Sequence, residues 1–294
     1  MTTRNLLKFL ALAFGLGWLF QGLAVWSGVG GNGRQWLVAA MWAPLLAAIL
    51  TGPDTRRRVW ALMKRGGWKL WPIALAAGWS FSAGQQLLLA AGRQGHWNAE
   101  IFHLRPDGGA IDSVHGVGML LGVGSQSFGF FALNLVLSVS VAALITMLMG
   151  GIGEESGWRG ILQPELARRW GLFKGTLLVG LIWGFWHLPV NLAGYNGPQH
   201  PILTALLIFP IHTVAMSFGL AWLTRRSASV WPAALAHAAN NVLQSGQLIV
   251  PNGWLADQST AAATSIMVGM IFAWLLIRAM IDPDRTPAVG GTED

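Results

Sequence analysis

The stretch Gly150-Gly-Ile-Gly-Glu154-Glu155-Ser-Gly-Trp-Arg159-Gly160 places two carboxylates and a guanidinium inside a strongly apolar region. The flanking segments, 136–149 and 177–186, have the composition of membrane helices. A charged group away from water must be paired, lie in a wet cavity or become neutral, so a charged residue in a membrane helix indicates function by default. We therefore expect the fold to be built around this stretch and the chemistry to lie in it.

The composition is that of a polytopic membrane protein. Hydrophobic residues make up 53% of the chain and charged residues only 11%, whereas soluble domains have roughly 25% charged residues. The sequence has no cysteine, which excludes disulfide and thiolate chemistry. Apolar stretches near the length of about 20 residues that crosses a bilayer lie at 6–26, 35–51, 70–91, 130–150, 173–191, 201–223, 229–249 and 261–281. They predict an all-α transmembrane helical bundle of about eight membrane helices.

The sequence is consistent with a single integral-membrane domain over residues 1–282. The last residues, 283–294, contain Pro283, Pro287 and a pair of glycines and are predicted to be a disordered tail. The longest loop, 92–127, carries scattered histidines and acids that we interpret as solvated side chains. Its glycine-rich continuation, 114–131, is predicted to be interfacial or re-entrant.

The basic residues define an orientation. If the loops are counted alternately from the N-terminus, one set carries 16 of the 19 Lys and Arg residues and the other carries Arg34, Arg93 and Arg105. Loops rich in Lys and Arg remain on the cytoplasmic side. We therefore predict a multi-pass protein of the cell membrane with both termini in the cytoplasm. The net charge of +7 is then a topology signal, and membrane lipid rather than nucleic acid is the expected partner.

Helical geometry separates the two glutamates. Glu154 and Glu155 point about 100° apart around the helix axis. Glu155 and Arg159 have the i, i+4 spacing that favours an ion pair. Glu154 has no such partner and lies on an apolar face, a setting that suits a general base. The alternative is that all three residues form a buried charge network that holds helices together.

Two later helices carry further polar residues. In an antiparallel hairpin centred near 170.5, His187 lies opposite Glu154, so both are expected at the same depth. His237 and Asn241 share one helix face and together can donate hydrogen bonds to a developing oxyanion. The alternatives are a core histidine for His187 and interhelical hydrogen bonding for the other two.

Glu154-Glu155-x-x-x-Arg159, an aromatic-x-x-x-His187 pattern and His237-x-x-x-Asn241 follow one another on successive membrane helices. Together these motifs resemble those of the CPBP family, the CAAX-protease and bacteriocin-processing intramembrane endopeptidases, which include the type II CAAX prenyl endopeptidases. The resemblance covers about residues 130–250, the expected catalytic core. The second motif usually begins with Phe, but Trp183 stands there, from which we expect altered packing rather than lost activity.

The resemblance implies hydrolysis of a peptide bond by an activated water in a cavity open to the cytoplasm. Glu154 would be the base, His187 its partner in holding the water, and His237 with Asn241 the oxyanion hole. Glu155 and Arg159 would support the site. The substrate would be a membrane-associated or lipidated protein or peptide, including a prenylated one.

The family has been described both as glutamic proteases and as metalloproteases, and the sequence leaves both open. In the second case Glu154, His187 and His237 would be the ligands of a divalent metal such as zinc. Two other classes of function are a non-catalytic membrane scaffold and a proton-coupled transporter that uses the Glu and His cluster. The transporter predicts further acids on other membrane helices, and the predicted spans contain none.

Overall fold

The computed structural model describes residues 1–29, 31–105, 110–113 and 120–281. Long helices take the positions of all eight predicted spans. The helices are α1 (Thr3–Trp26), α2 (Arg34–Thr51), α3 (Pro53–Lys64), α4 (Trp71–Ala91), α5 (Phe128–Thr146), α6 (Ile152–Gly157), α7 (Gln163–Trp170), α8 (Leu172–Trp186), α9 (Leu188–Leu192), α10 (Pro201–Leu203), α11 (Phe209–Ser227), α12 (Trp231–Ser245) and α13 (Trp254–Ile281). The predicted all-α polytopic fold is confirmed, and the chain is an integral membrane protein.

Within the described residues, five helical stretches are long and apolar enough to cross a membrane: Thr3–Trp26, Arg34–Thr51, Phe128–Trp170, Pro201–Ser227 and Trp254–Ala279. The stretch Leu172–Trp186 is apolar but shorter. The remaining two predicted spans, α4 and α12, both carry buried polar residues. Most of α12 is buried between α4, α5 and α11, so protein rather than lipid surrounds its polar side chains.

The glutamate stretch lies in a helix that departs twice from α-helical geometry. Two π-helical turns, Met147–Gly151 and Trp158–Leu162, flank α6, which carries both glutamates. Such π turns occur often at functional sites. On α6, Gly153 faces the backbone of Met41 and Gly157 faces Pro44, with no room for a Cβ at either position. The glycines of the motif therefore let α2 pack directly against the helix that carries the site.

The described parts of the loop 92–127 contain four short strands. Strand β1 (Gly95–Trp97) pairs antiparallel with β5 (Ile249–Pro251), which precedes α13. The three-stranded antiparallel sheet consists of β2 (Phe102–Leu104), β3 (Ala110–Ser113) and β4 (Gly124–Ser127).

The predicted interfacial piece 114–131 is only partly described. Residues 114–119 lie outside the described residues, 120–127 form a turn and β4, and α5 begins at Phe128. The predicted tail 283–294 also lies outside the described residues. The single-domain assignment over residues 1–282 stays a prediction.

One end of the bundle gathers most of the basic residues. It is formed by the starts of α1, α8 and α12, by α3 and by the ends of α2, α7, α11 and α13, and we call it the basic end. Lys8 Nζ donates to the Leu50 carbonyl at 2.8 Å, and Trp231 Nε1 donates to the Met63 carbonyl at 2.8 Å. These contacts bring the basic termini of helices far apart in sequence to the same face.

Candidate active site

A cavity of about 650 Å³ lies among α1, α2, α4, α6, α8, α11, α12 and α13. Glu154, His187, His237 and Asn241, the four residues predicted to be catalytic, all line it. Glu155 and Arg159 are not part of its wall. The structure thus brings together the candidate residues from three helices and separates the two glutamates as the helical geometry predicts.

Two indole groups hold the carboxylate of Glu154. Trp183 Nε1 donates to Oε2 at 2.6 Å, and Trp158 Nε1 approaches the same oxygen at 3.4 Å. Only 1% of Glu154 is exposed. Its other oxygen, Oε1, has no hydrogen-bond partner among the described residues, so Oε1 is the one available to a molecule in the cavity.

Glu155 lies behind the cavity wall in an ion pair. Its Oε2 is 3.1 Å from Arg159 Nε, and both side chains are fully buried. Arg159 also donates from Nη2 to Ser217 Oγ at 3.1 Å, and its guanidinium lies 4.8 Å from the centre of the Trp183 ring. A buried ion pair is stabilised only when further contacts satisfy its groups. The contacts on α8 and α11 engage Nη2 and the face of the guanidinium, while Nη1 has no hydrogen-bond partner among the described residues.

The second oxygen of Glu155 binds a histidine of the site. His237 Nδ1 is 3.0 Å from Glu155 Oε1. Glu155 is paired with the guanidinium of Arg159, so its carboxylate oxygen is the acceptor of this hydrogen bond. Nδ1 of His237 therefore carries the hydrogen, and Nε2 is the ring nitrogen available to a molecule in the cavity. Sequence reasoning missed this contact because the two residues are 82 positions apart.

His187 is oriented by a backbone group. Its Nδ1 lies 2.9 Å from the carbonyl oxygen of Trp183. A carbonyl only accepts, so Nδ1 is the donor and Nε2 of the neutral ring carries a lone pair. The ring of Trp186, perpendicular to the imidazole, and the tilted ring of Phe209 each lie 4.8 Å away between centres and fix the plane of the imidazole. His187 is thus prepared to accept a hydrogen bond from water.

Neighbouring asparagines on α12 have different surroundings. Asn240 is buried, accepts from Ser82 Oγ at 3.4 Å and approaches His212 Nε2 at 3.4 Å. Asn241 accepts a weak hydrogen bond from Asn240 at 3.5 Å through its Oδ1. Its own NH₂ group has no partner among the described residues, which leaves two donors for a group in the cavity.

The prediction that His187 lies directly opposite Glu154 in the hairpin is only approximately correct. Glu154 and His187 line the same cavity, but the residue of α8 that contacts the carboxylate is Trp183, one helical turn before His187. The prediction assumed regular α-helix, whereas the π turn Trp158–Leu162 lies between Glu154 and the hairpin turn. A π turn has i→i+5 hydrogen bonds and advances less per residue, which changes the register of the two helices.

The predicted metal ligands Glu154, His187 and His237 fit zinc in one respect and not in another. The chemistry of the donors suits zinc, since both histidines donate from Nδ1 to an acceptor and keep Nε2 for a ligand bond. The geometry does not: across the parts of the chain that the structure describes, no three His, Cys, Asp or Glu side chains converge closely enough to hold a metal. These three residues therefore do not form a metal site in this arrangement.

One acid of the cavity wall escaped the sequence analysis. Asp257 lines the cavity because α13 begins at Trp254, seven residues before the predicted start of that span. The predicted span 261–281 leaves Asp257 out, since hydropathy alone detects only the apolar part of a helix.

Comparison with known proteins agrees with the motifs. Residues 136–243, which run from α5 through most of α12, match the family model described as type II CAAX prenyl endopeptidase Rce1-like. The chain contains an Rce1-like domain. This domain includes all four candidate catalytic residues together with Glu155 and Arg159, and the motifs that resembled the CPBP family lie within it.

A curated relative supports the same assignment over a shorter stretch. The chain is 40% identical over 50 residues to a protein of Methanococcus maripaludis named CAAX prenyl protease 2. The matched stretch covers 17% of this chain and 18% of the relative. The similarity therefore bears on a short part of each protein.

Proposed function

We propose that this protein is an intramembrane endopeptidase in which Glu154 activates the attacking water. The observation that carries the proposal concerns the carboxylate of Glu154. Trp183 holds its Oε2, while Oε1 has no partner among the described residues, in a cavity that also contains His187, His237 and Asn241. A carboxylate fixed in this way, with histidine and amide groups around the same space, has the parts needed for acid–base catalysis and for stabilising an oxyanion.

The proposed reaction needs only these side chains and one water molecule. Glu154 Oε1 takes a proton from a water that also donates to His187 Nε2, and the hydroxide formed adds to the carbonyl carbon of the substrate. The oxyanion receives hydrogen bonds from the NH₂ of Asn241 and, when the ring is protonated, from Nε2–H of His237. The C–N bond then breaks, and Glu154 returns the proton to the leaving amine.

The proposed substrate is a peptide segment of a membrane-associated or lipidated protein. The relative's name, CAAX prenyl protease, makes a prenylated polypeptide one member of this class. The proposed location is the cell membrane, with both termini in the cytoplasm, because the basic residues collect at one end of the bundle.

The test uses the purified protein in lipid vesicles with a library of quenched fluorescent peptides. Glu154→Gln keeps the shape of the side chain and the two indole contacts, so its melting temperature should stay close to that of the unchanged protein. The cleavage rate should fall by about 10²–10⁴-fold, the range for loss of a general base. Undiminished cleavage by a folded Glu154→Gln variant would rule out the proposed mechanism.

A proton-coupled transporter is the second candidate. The observation in its favour is Asp257, since a second acid in the same cavity is what a proton pathway requires. Vesicles that contain a pH-sensitive dye distinguish the two functions. Proton flux that needs Glu154 and Asp257, in the absence of any peptide cleavage, would favour transport over hydrolysis.

A further inference from the structure

Two buried polar atoms in the wall of the cavity have no hydrogen-bond partner. They are Gln21 Oε1 and Trp254 Nε1, and neither is bonded to any residue that the structure describes. Both residues line the cavity that contains Glu154. Burying a polar atom without a partner destabilises a protein, and such atoms are rare in folded chains. The two atoms are therefore candidates for contacts with a ligand in the cavity.

The side-chain amide of Gln21, on α1, is oriented by α8. Its Nε2 donates to the carbonyl oxygen of Trp186 at 2.9 Å. A carbonyl only accepts, so the remaining atom of the amide is the acceptor Oε1. Because α8 ends at Trp186 and His187 is the next residue, this acceptor is held beside the chain segment that carries His187.

A structural role accounts for only half of the Gln21 amide. Polar side chains often join helices in a membrane, and Nε2 of Gln21 joins α1 to α8 in this way. However, Trp18 Nε1 already donates to the same carbonyl at 3.0 Å, and the join leaves Oε1 unused. The last torsion of a Gln side chain is broad, so a small rotation presents Oε1 to a molecule in the cavity that Gln21 lines.

Trp254 supplies the opposite kind of group at the start of α13. Its ring packs against the ring of His200, with 4.1 Å between centres. An indole N–H only donates, and Nε1 has no acceptor within the described part of the chain. The cavity wall thus offers one acceptor and one donor, which are the complements of the N–H and the C=O of a polypeptide main chain.

We propose that Gln21 and Trp254 bind the main chain of the substrate. Gln21 Oε1 accepts from a peptide N–H, and Trp254 Nε1 donates to a peptide carbonyl. A helical segment pairs these groups internally, so the ligand is a polypeptide segment in extended form. Neither residue belongs to the stretch 136–243 that matches the family model. The proposal rests on the proposed function and adds to it two contacts from the flanking helices.

The first arm of the test measures binding without cleavage. All proteins carry Glu154→Gln, and the peptide is the member of the fluorescent library that this variant binds most tightly in lipid vesicles. Each amide of the peptide is replaced in turn by an ester, which removes one N–H. We expect one ester to raise the Kd by about two- to twelvefold, the range for one neutral hydrogen bond. A library without a binding peptide, or an ester series without effect, would overturn the proposal.

The second arm assigns the contacted N–H to Gln21. Gln21→Met keeps the length of the side chain and removes the acceptor, so the sensitive ester and its amide should then bind equally. Trp18→Phe is the matched control, because it removes the other donor to the Trp186 carbonyl and leaves Gln21 in place. Gln21→Leu is used instead if Gln21→Met melts below Trp18→Phe. An ester effect that survives the change at position 21, or that Trp18→Phe also abolishes, would overturn the assignment.

The third arm concerns Trp254. Thioamides replace the peptide carbonyls one at a time, since sulfur is a weaker acceptor than oxygen. One thioamide should raise the Kd, and Trp254→Phe should abolish that effect because Phe has no donor. Trp97→Phe, a change of an exposed residue of β1 outside the cavity wall, should leave the effect in place. A thioamide effect of the same size in Trp254→Phe would overturn this contact.

Cleavage by the protein with Glu154 intact is measured separately with the same peptides. Binding with the expected ester effect but without cleavage of any peptide would contradict the proposed function and support the two contacts. Cleavage by a protein whose binding is unaffected by every ester and every thioamide would overturn the contacts and leave the proposed function standing.

Discussion

The indole of Trp183 donates a hydrogen bond of 2.6 Å to Oε2 of Glu154. The same residue accepts from His187 Nδ1 through its carbonyl oxygen, and its ring lies against the guanidinium of Arg159. The position that usually holds Phe in the resembled motif therefore connects three groups of the site in this protein. From the sequence we expect only altered packing at Trp183. The structure adds a hydrogen-bond donor, the indole N–H, which a Phe side chain lacks.

Replacing Trp183 by Phe tests this connection. The change keeps an aromatic ring but removes the donor, so Glu154 loses the contact that fixes its carboxylate. Hydrogen bonds to charged groups contribute about 1.5–3 kcal/mol, and we expect kcat to fall by about tenfold or more with little change in KM. Full activity of the variant would show that the indole serves only for packing.

The matched control for that experiment is Trp231→Phe. Trp231 Nε1 donates to the Met63 carbonyl at 2.8 Å, a hydrogen bond of similar length at the basic end, away from the cavity. We expect a lower melting temperature for this variant without the loss in kcat. The comparison separates the effect of losing an indole hydrogen bond in general from the effect of losing the bond between Trp183 and Glu154.

Glu155→Gln should damage the fold more than the chemistry. The change leaves the buried Arg159 without its counter-charge, which costs about 3–5 kcal/mol when a buried pair is broken. In a protein of this size such a loss lowers the melting temperature on the order of 10 °C. Asp54→Asn removes the exposed pair with Arg57 and should change the melting temperature very little. A Glu155→Gln protein as stable as Asp54→Asn would contradict the importance of the ion pair.

The two asparagines of α12 should separate catalysis from stability. Asn241→Ala removes the free NH₂ donors of the cavity, and loss of one oxyanion donor typically lowers kcat by about 10²–10³-fold. Asn240→Ala removes the contacts to Ser82 and His212 and should mainly lower the melting temperature. Thermal melting and steady-state kinetics of both variants check the assignment; a larger kcat loss for Asn240→Ala would reverse it.

Chelation addresses the role of metal. We expect activity to survive dialysis against a strong chelator, because Glu154 is engaged by two indoles and no three potential ligands converge within the described residues. Metal analysis of the active protein should show less than one equivalent. Activity that disappears with the chelator and returns with zinc would instead make Glu154, His187 and His237 ligands.

The sequence by itself determined the features that depend on local pattern. The apolar segments set the eight helices, because a bilayer requires a certain length of apolar helix. The i, i+4 spacing set the pair of Glu155 and Arg159, since that spacing brings two side chains together on any helix. The order of the motifs identified which helices carry the Rce1-like domain.

Only the tertiary structure decided the contacts between helices. Whether Glu154 meets Trp183 or His187 depends on the register of two helices, which a π turn changes without an obvious sequence signal. The hydrogen bond of Glu155 with His237 depends on how α6 and α12 are rotated toward each other. The place of Asp257 in the cavity wall depends on the packing of several helices together. Periodicity describes the face of one helix, whereas these features arise from the faces of several helices at once.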